Sequence, residues 1–254
     1  MVSFFSKLAV IATIVASSVS GLEIGEYSRP SGAEVSSVPG ATAPYLRSPC
    51  PTLNTLANHG YLPRDGKKIT STMIADAIVE AFNIDPILAK GLVSQVRAKG
   101  TIDLAFLSTH NFIEHDVSFA HSDFSYGDDM SALNVTMWDD FSSRAVNNVI
   151  GIEQVAATLE DRVKVCNNKP EGCDYGIKQR VTGAIQAAFV LRAFGGKNEE
   201  TASLDNIKAF FVDERFPDGY AKPSTKVSIT KLFSTAIKVG VKTSWLELLE
   251  FLDL

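Results

Sequence analysis

The stretch SPCPTLNTLANHGYLPRDG, residues 48–66, sets a cysteine between two prolines at the start of a predicted short helix. Pro51 suits the first helical position, because the N–H it lacks is one that a helix start leaves unpaired anyway. Cys50 then falls at the N-cap, facing free amides such as those of Leu53 and Asn54. Those amides and the positive helix end favour a thiolate over a thiol. A thiolate there can attack a substrate, bind a metal or ligate haem iron. A half-buried cysteine that merely packs is the plain alternative.

The chain has three cysteines. Cys166 and Cys173 bracket the turn-rich NNKPEG and could close a small loop, which leaves Cys50 over. An odd cysteine in an exported chain is either a thiol with a task or a link between two chains, so a haem-free dimer joined through Cys50 stays open. A second polar concentration is FIEHDVSFAHSDFSYGDD, residues 112–129. Read alone, its EHDVS segment is an ordinary polar cap. His110, His115 and His121 lack the HExxH spacing of a zinc site, and His59 falls at a helix end, where it would cap carbonyls.

Residues 48–66 resemble the proximal segment of the haem-thiolate peroxidases, the family of chloroperoxidase and the short unspecific peroxygenases. The hallmark is Pro-Cys-Pro followed by a helix like Leu-Asn-Thr-Leu-Ala-Asn-His-Gly, and both occur here. The resemblance implies that Cys50 is the axial ligand of haem b. Residues 112–129 are similar to the family's Glu-His-Asp-x-Ser segment. That likeness implies that the Glu114 carboxylate, the His115 carbonyl and the Ser118 hydroxyl bind Mg²⁺. It also implies a His115 side chain on the distal face. FFVDERFPDGY, residues 210–220, resembles a structural C-terminal segment of the family, with Phe216 and Tyr220 as departures.

One departure bears on chemistry. The family's distal acid–base residue is a glutamate just before an Ala-Phe pair. Aligning on Ala188-Phe189 puts Gln186 there, and the nearest glutamates, Glu171 and Glu199, stand in polar loops on either side. Glutamine has nearly the same shape but cannot take a proton at ordinary pH. His115 is then expected to work with Gln186 as a distal polar pair and to carry the proton transfer. A haem-binding protein without turnover is the alternative. Ile113, Phe119 and Phe189 are candidates for an apolar substrate channel, or else plain core.

The elements that must position these residues read as helices. Thr52–Asn58, Thr70–Phe82, Ile84–Lys99, a short Met130–Trp138, Ser142–Val163, Ile177–Phe194, Ser203–Phe211, Thr230–Val239 and Ser244–Leu252 carry apolar residues at three- and four-residue spacing. Strands are hard to find, so the expected fold is all-α, one mostly helical domain over residues 48–254. Residues 21–47, rich in Gly, Pro, Ser and Ala, read as an extended arm. Residues 1–20 have the charged start, short apolar core and small residues of a secretory leader. The reading is therefore a secreted protein, off the membrane once the leader is cut. Asn134-Val135-Thr136 is a glycosylation sequon, so Asn134 is a candidate acceptor. With 45% hydrophobic residues the chain has ample core, and a net charge of −5 without a basic run argues against nucleic acid as a partner. Hydrogen peroxide and a small organic molecule are the partners that the resemblance implies.

Overall fold

The structure, a computed structural model, describes residues 21–127, 129–170, 172–195 and 200–243. The expected leader at 1–20, the helix expected over Ser244–Leu252, and the loop residues Glu171 and Glu199 lie outside the described residues. Helices dominate what is described, as the periodicity leads one to expect.

Helix α1, Pro51–Asn58, follows Cys50 as its N-cap. Helix α2, Ser71–Phe82, is capped by the Thr70 side chain, which accepts from the Met73 N–H, and it ends at the left-handed Asn83. The expected single helix over 84–99 is instead two, α3 (Pro86–Leu92) and α4 (Ser94–Arg97), parted at Val93. Gly91 and the β-branched Val93 are weak helix formers, so the break falls between them and the next turn.

The middle of the chain differs most from the periodicity. Helix α5 runs Val135–Ser143 rather than 130–138, because Asn134 caps it by accepting from the Met137 N–H. Helix α6, Ile152–Asn167, starts ten residues later than expected from Ser142. Asn147 and Asn148 both take positive φ, and this turn leads into a strand instead of continuing the helix.

Six short strands occur among the described residues, against an expectation of almost none. β1 (Val35–Ser36) pairs in parallel with β2 (Tyr45–Leu46). β3 (Ile69–Thr70) pairs antiparallel with β4 (Thr101–Ile102), and β5 (Val149–Gly151) with β6 (Thr201–Ser203). They are staples between helices rather than a sheet, and strands of two or three residues leave little periodicity to read.

Helix α7 (Ile177–Phe194) has the expected bounds. It packs along α9 (Ile229–Lys242) and also meets α6 and α8 (Leu204–Phe211). Its Gly183, Ala184, Ala187 and Ala188 are buried, and such small residues let neighbouring groups come close. Phe82 sits among core aromatic rings, with Phe189 at 5.3 Å, Phe216 at 5.6 Å and Phe194 at 5.9 Å between ring centroids. The 21–47 arm does not stand apart. Its Gly25 and Ser28 N–H groups donate to the His59 and Asn58 carbonyls, so the arm satisfies the end of α1.

Candidate functional site

Cys50 is a half-buried free thiol at the start of α1. Burial pushes its pKa up, while the Leu53 amide and the Thr52 amide and hydroxyl pull it back. Behind it, Asn54 locks the preceding loop. Its Oδ1 accepts from the Ser48 N–H at 2.9 Å and its Nδ2 donates to the Ser48 carbonyl at 2.8 Å. Glu214, from the third landmark, accepts from Asn54 Nδ2 at 2.6 Å and pairs with Arg29 of the arm at 3.1 Å. The Glu214 carbonyl accepts from Asn58 Nδ2 at 3.1 Å. The structural reading of FFVDERFPDGY is thus explained: it clamps the cysteine helix from behind.

His59 is the C-cap of α1, but its ring bonds elsewhere. Nδ1 donates to the Gly25 carbonyl at 2.7 Å, which leaves Nε2 to accept from the Phe216 N–H at 3.2 Å. Burial lowers its pKa, so both bonds belong to the neutral ring.

The 112–124 loop lies next to this region. His121, whose pKa burial pushes down to about 4, meets the Pro49 carbonyl. The His121 N–H in turn donates to Ser118 Oγ at 3.3 Å. His115 is buried. Its Nδ1 lies 2.6 Å from the Asp116 carbonyl, which can only accept, so Nδ1 carries the proton and Nε2 is bare. Nε2 is buried and has no hydrogen-bond partner. Gln186, an exposed residue of α7, brings its amide close enough to favour the charged imidazole, though no well-formed hydrogen bond closes at Nε2. The expected pair of His115 and Gln186 is therefore brought together. Burial is the larger effect and lowers the His115 pKa.

Beside His115 lies a small pocket of about 30 Å³, lined by Ile113, Glu114, Gln179 and Thr182 among others. Ile113 lines this pocket. Phe119 does not, because it is buried against Phe141 at 5.0 Å and belongs to the core. Glu114 accepts from His110 Nδ1 at 2.8 Å, and burial raises its pKa. His110 stacks on Phe124 at 4.2 Å. Glu114, His110 and Asp116 offer ligand atoms within 4.8 Å of one another.

The model of the family described as "Peroxidase, family 2" matches residues 34–225. The chain belongs to that family. It is 31% identical over 207 residues to an aromatic peroxygenase of Coprinellus radians, covering 69% of this chain and 78% of that protein. It is 33% identical over 104 residues to a chloroperoxidase of Leptoxyphium fumago, covering 34% of this chain and 28% of that protein. A dothistromin biosynthesis peroxidase of Dothistroma septosporum is 31% identical over 244 residues, 78% of this chain and 58% of that protein.

Membership implies a haem cofactor, and the residues present fit one. A thiol with amide donors aimed at it suits an axial thiolate, and an orphaned buried imidazole nitrogen suits a distal base. Cys166 and Cys173 form the expected disulfide, with Cα atoms 5.0 Å apart. Asn134 is half-buried, and its Nδ2 donates to Ser122 Oγ at 2.9 Å.

Three residues around His115 carried no signal at the level of motif. Tyr175 stands with its ring centre 5.7 Å from that of His115. Gly183 makes room for it: a Cβ there would come within 2.7 Å of the Tyr175 hydroxyl and 3.7 Å of His115 Cε1. A glycine inside a helical pattern was the one available hint of such a close approach. Val117 adopts a left-handed φ of 69°, which nothing in its residue type foretells.

Proposed function

We propose that the protein is a haem-thiolate peroxidase or peroxygenase, secreted, that uses hydrogen peroxide to oxidise small organic molecules or halide. The observation that carries this reading is the combination of a free Cys50 thiol at the amide-rich start of α1 with a buried, bare Nε2 on His115. Bound haem b would supply an iron, held by Cys50, that makes the peroxide O–O bond cleavable. His115 Nε2 takes the peroxide proton and returns it to the departing oxygen. The Gln186 amide lies close to that imidazole but accepts no proton, so His115 carries the acid–base work alone. Ile113 and the small pocket beside it mark the side from which an organic substrate would approach that imidazole.

Hard oxygen donors on one loop support Mg²⁺ at the Glu114 carboxylate, the His115 carbonyl and the Ser118 hydroxyl. A divalent cation would offset the cost of burying Glu114 as a carboxylate. Export follows from the leader at 1–20, with Asn134 as glycan acceptor and no membrane or nucleic-acid partner. No helix among the described residues is long and apolar enough to cross a membrane. Gln186 favours a second reading, haem binding with little peroxide turnover.

The deciding experiment is the absorption spectrum of the reduced, carbon monoxide-bound protein, with peroxide turnover measured on the same sample. A strongly red-shifted Soret band, lost in Cys50→Ala, is expected together with turnover. The band without turnover selects the second reading. A haem-loaded protein lacking the band removes both.

A further inference from the structure

His115 is held through a single peptide group, and that group leads to a buried ion pair. The peptide joining Asp116 to Val117 accepts from His115 Nδ1 at its carbonyl end, at 2.6 Å. At its N–H end it donates to Asp123 Oδ1, at 2.7 Å. The other Asp123 oxygen meets Lys169 Nζ at 2.5 Å, and both side chains are 5% exposed. Lys169 also donates to Ser125 Oγ at 2.9 Å and lies 4.5 Å over the Tyr126 ring.

We infer that Asp123 and Lys169 are positioning residues for His115: through the 116–117 peptide they fix the ring orientation and the Nδ1–H tautomer that leave Nε2 bare. The inference rests on the reading of His115 as the distal base.

Three physical arguments support it. First, Val117 is a β-branched residue, 1% exposed, at a φ of 69°. Such strain persists only where the surroundings over-determine it. Here the charge-assisted bond from the Val117 N–H to Asp123 does so, and the φ it holds sets the plane of the peptide that meets His115. Second, a carboxylate at the N–H end polarises the peptide and strengthens its carbonyl as an acceptor. His115 therefore keeps its proton on Nδ1. Third, Asp123 alone would be an uncompensated buried charge, and Lys169 supplies the partner.

Lys169 reaches this place from the NNKPEG loop. The Cys166–Cys173 disulfide closes that loop, and the Lys169 N–H donates to the Cys166 carbonyl at 3.2 Å. The same loop leads into Tyr175, beside the His115 ring. A surface-looking loop thus acts as the frame of the histidine.

The test uses the haem-loaded protein and the paired variant Asp123→Asn/Lys169→Met. This removes both charges together and leaves an amide oxygen to accept the Val117 N–H. Nitrogen NMR of the histidine-labelled ferrous carbon monoxide complex should show one His115 tautomer in the wild type and a mixture in the variant. Stopped-flow mixing with peroxide should show a loss of roughly tenfold in the peroxide step, with the KM for the organic substrate unchanged. In a His115→Gln background the same pair of changes should cost nothing further, because residues acting through one another are not additive. An unchanged tautomer, or equal losses in both backgrounds, overturns the inference alone. A His115→Gln protein with a wild-type peroxide step removes the reading of His115 and the inference with it. Where the paired variant holds no haem, Asp123→Asn is examined by the same NMR measurement. Retention of the single Nδ1–H tautomer there overturns the inference.

Discussion

Behind Cys50, the buried side chains of Asn54, Asn58, Arg47 and Glu214 are joined in one hydrogen-bonded network, and Thr55 alone leaves a buried hydroxyl without a partner. Around His115 the pattern is reversed. Nε2 is buried and unpartnered, Gln186 stands exposed beside it, and Val117 carries backbone strain. An unsatisfied buried acceptor costs stability, so it survives where something other than stability is served. The difference separates holding from reacting. The cysteine side spends its polar groups on one another, and the histidine side keeps one in reserve.

That contrast can be broken from either side. The largest effect is expected from Glu214→Ala. It leaves Asn54 short of an acceptor and Arg29 without its carboxylate, and should cost about 2–3 kcal/mol of stability. Urea denaturation measures it, and a loss under half a kcal/mol would mean that the clamp behind α1 is ornamental.

Next is the disulfide. Cys166→Ser with Cys173→Ser frees the loop that carries Lys169, and closing a loop of this size is worth about 2 kcal/mol. Because the loop meets the histidine side, the peroxide step should slow while the carbon monoxide spectrum, set by Cys50, stays as it was. A changed spectrum would show that the two sides are not separable.

Gln186→Glu sharpens the comparison by adding the missing acid–base group. The peroxide step should rise by roughly tenfold, equivalent to about 1.4 kcal/mol of barrier. An unchanged rate, with haem intact, would show that His115 already suffices.

The smallest effect concerns His59. Its folded pKa is lowered, chiefly by burial. The unfolded chain therefore takes up the proton first as pH falls through about 6.5, and stability is lost on the acid side of that value. Stability should therefore fall between pH 7.5 and 5, and His59→Gln should reduce the slope. An equal slope in the variant would assign the acid sensitivity to other groups.

The cysteine side was almost wholly legible in the sequence. Pro-Cys-Pro before a periodic run fixes a helix start, its N-cap and its first residue through purely local rules, and α1 begins where those rules put it. The bounds of α2, α7 and α8 were legible for the same reason: caps and apolar spacing act within a few residues. The register of α6 was not, because the turn at Asn147 and Asn148 and the pairing of β5 with β6 override an apolar stripe that would have continued the helix, while α5 starts at the Asn134 cap, a local signal that the apolar spacing from Met130 concealed. At the site, residue type and helix-start position singled out Cys50, while His115 and Gln186 were named through the resemblance. Only the tertiary structure decided which nitrogen of His115 is bare, because that depends on a carbonyl oriented by Asp123 and a lysine forty-six residues further on. Local chemistry fixes where helices begin. Long-range contacts fix which atom is left free to react, since no local rule brings a buried cation to a distant loop.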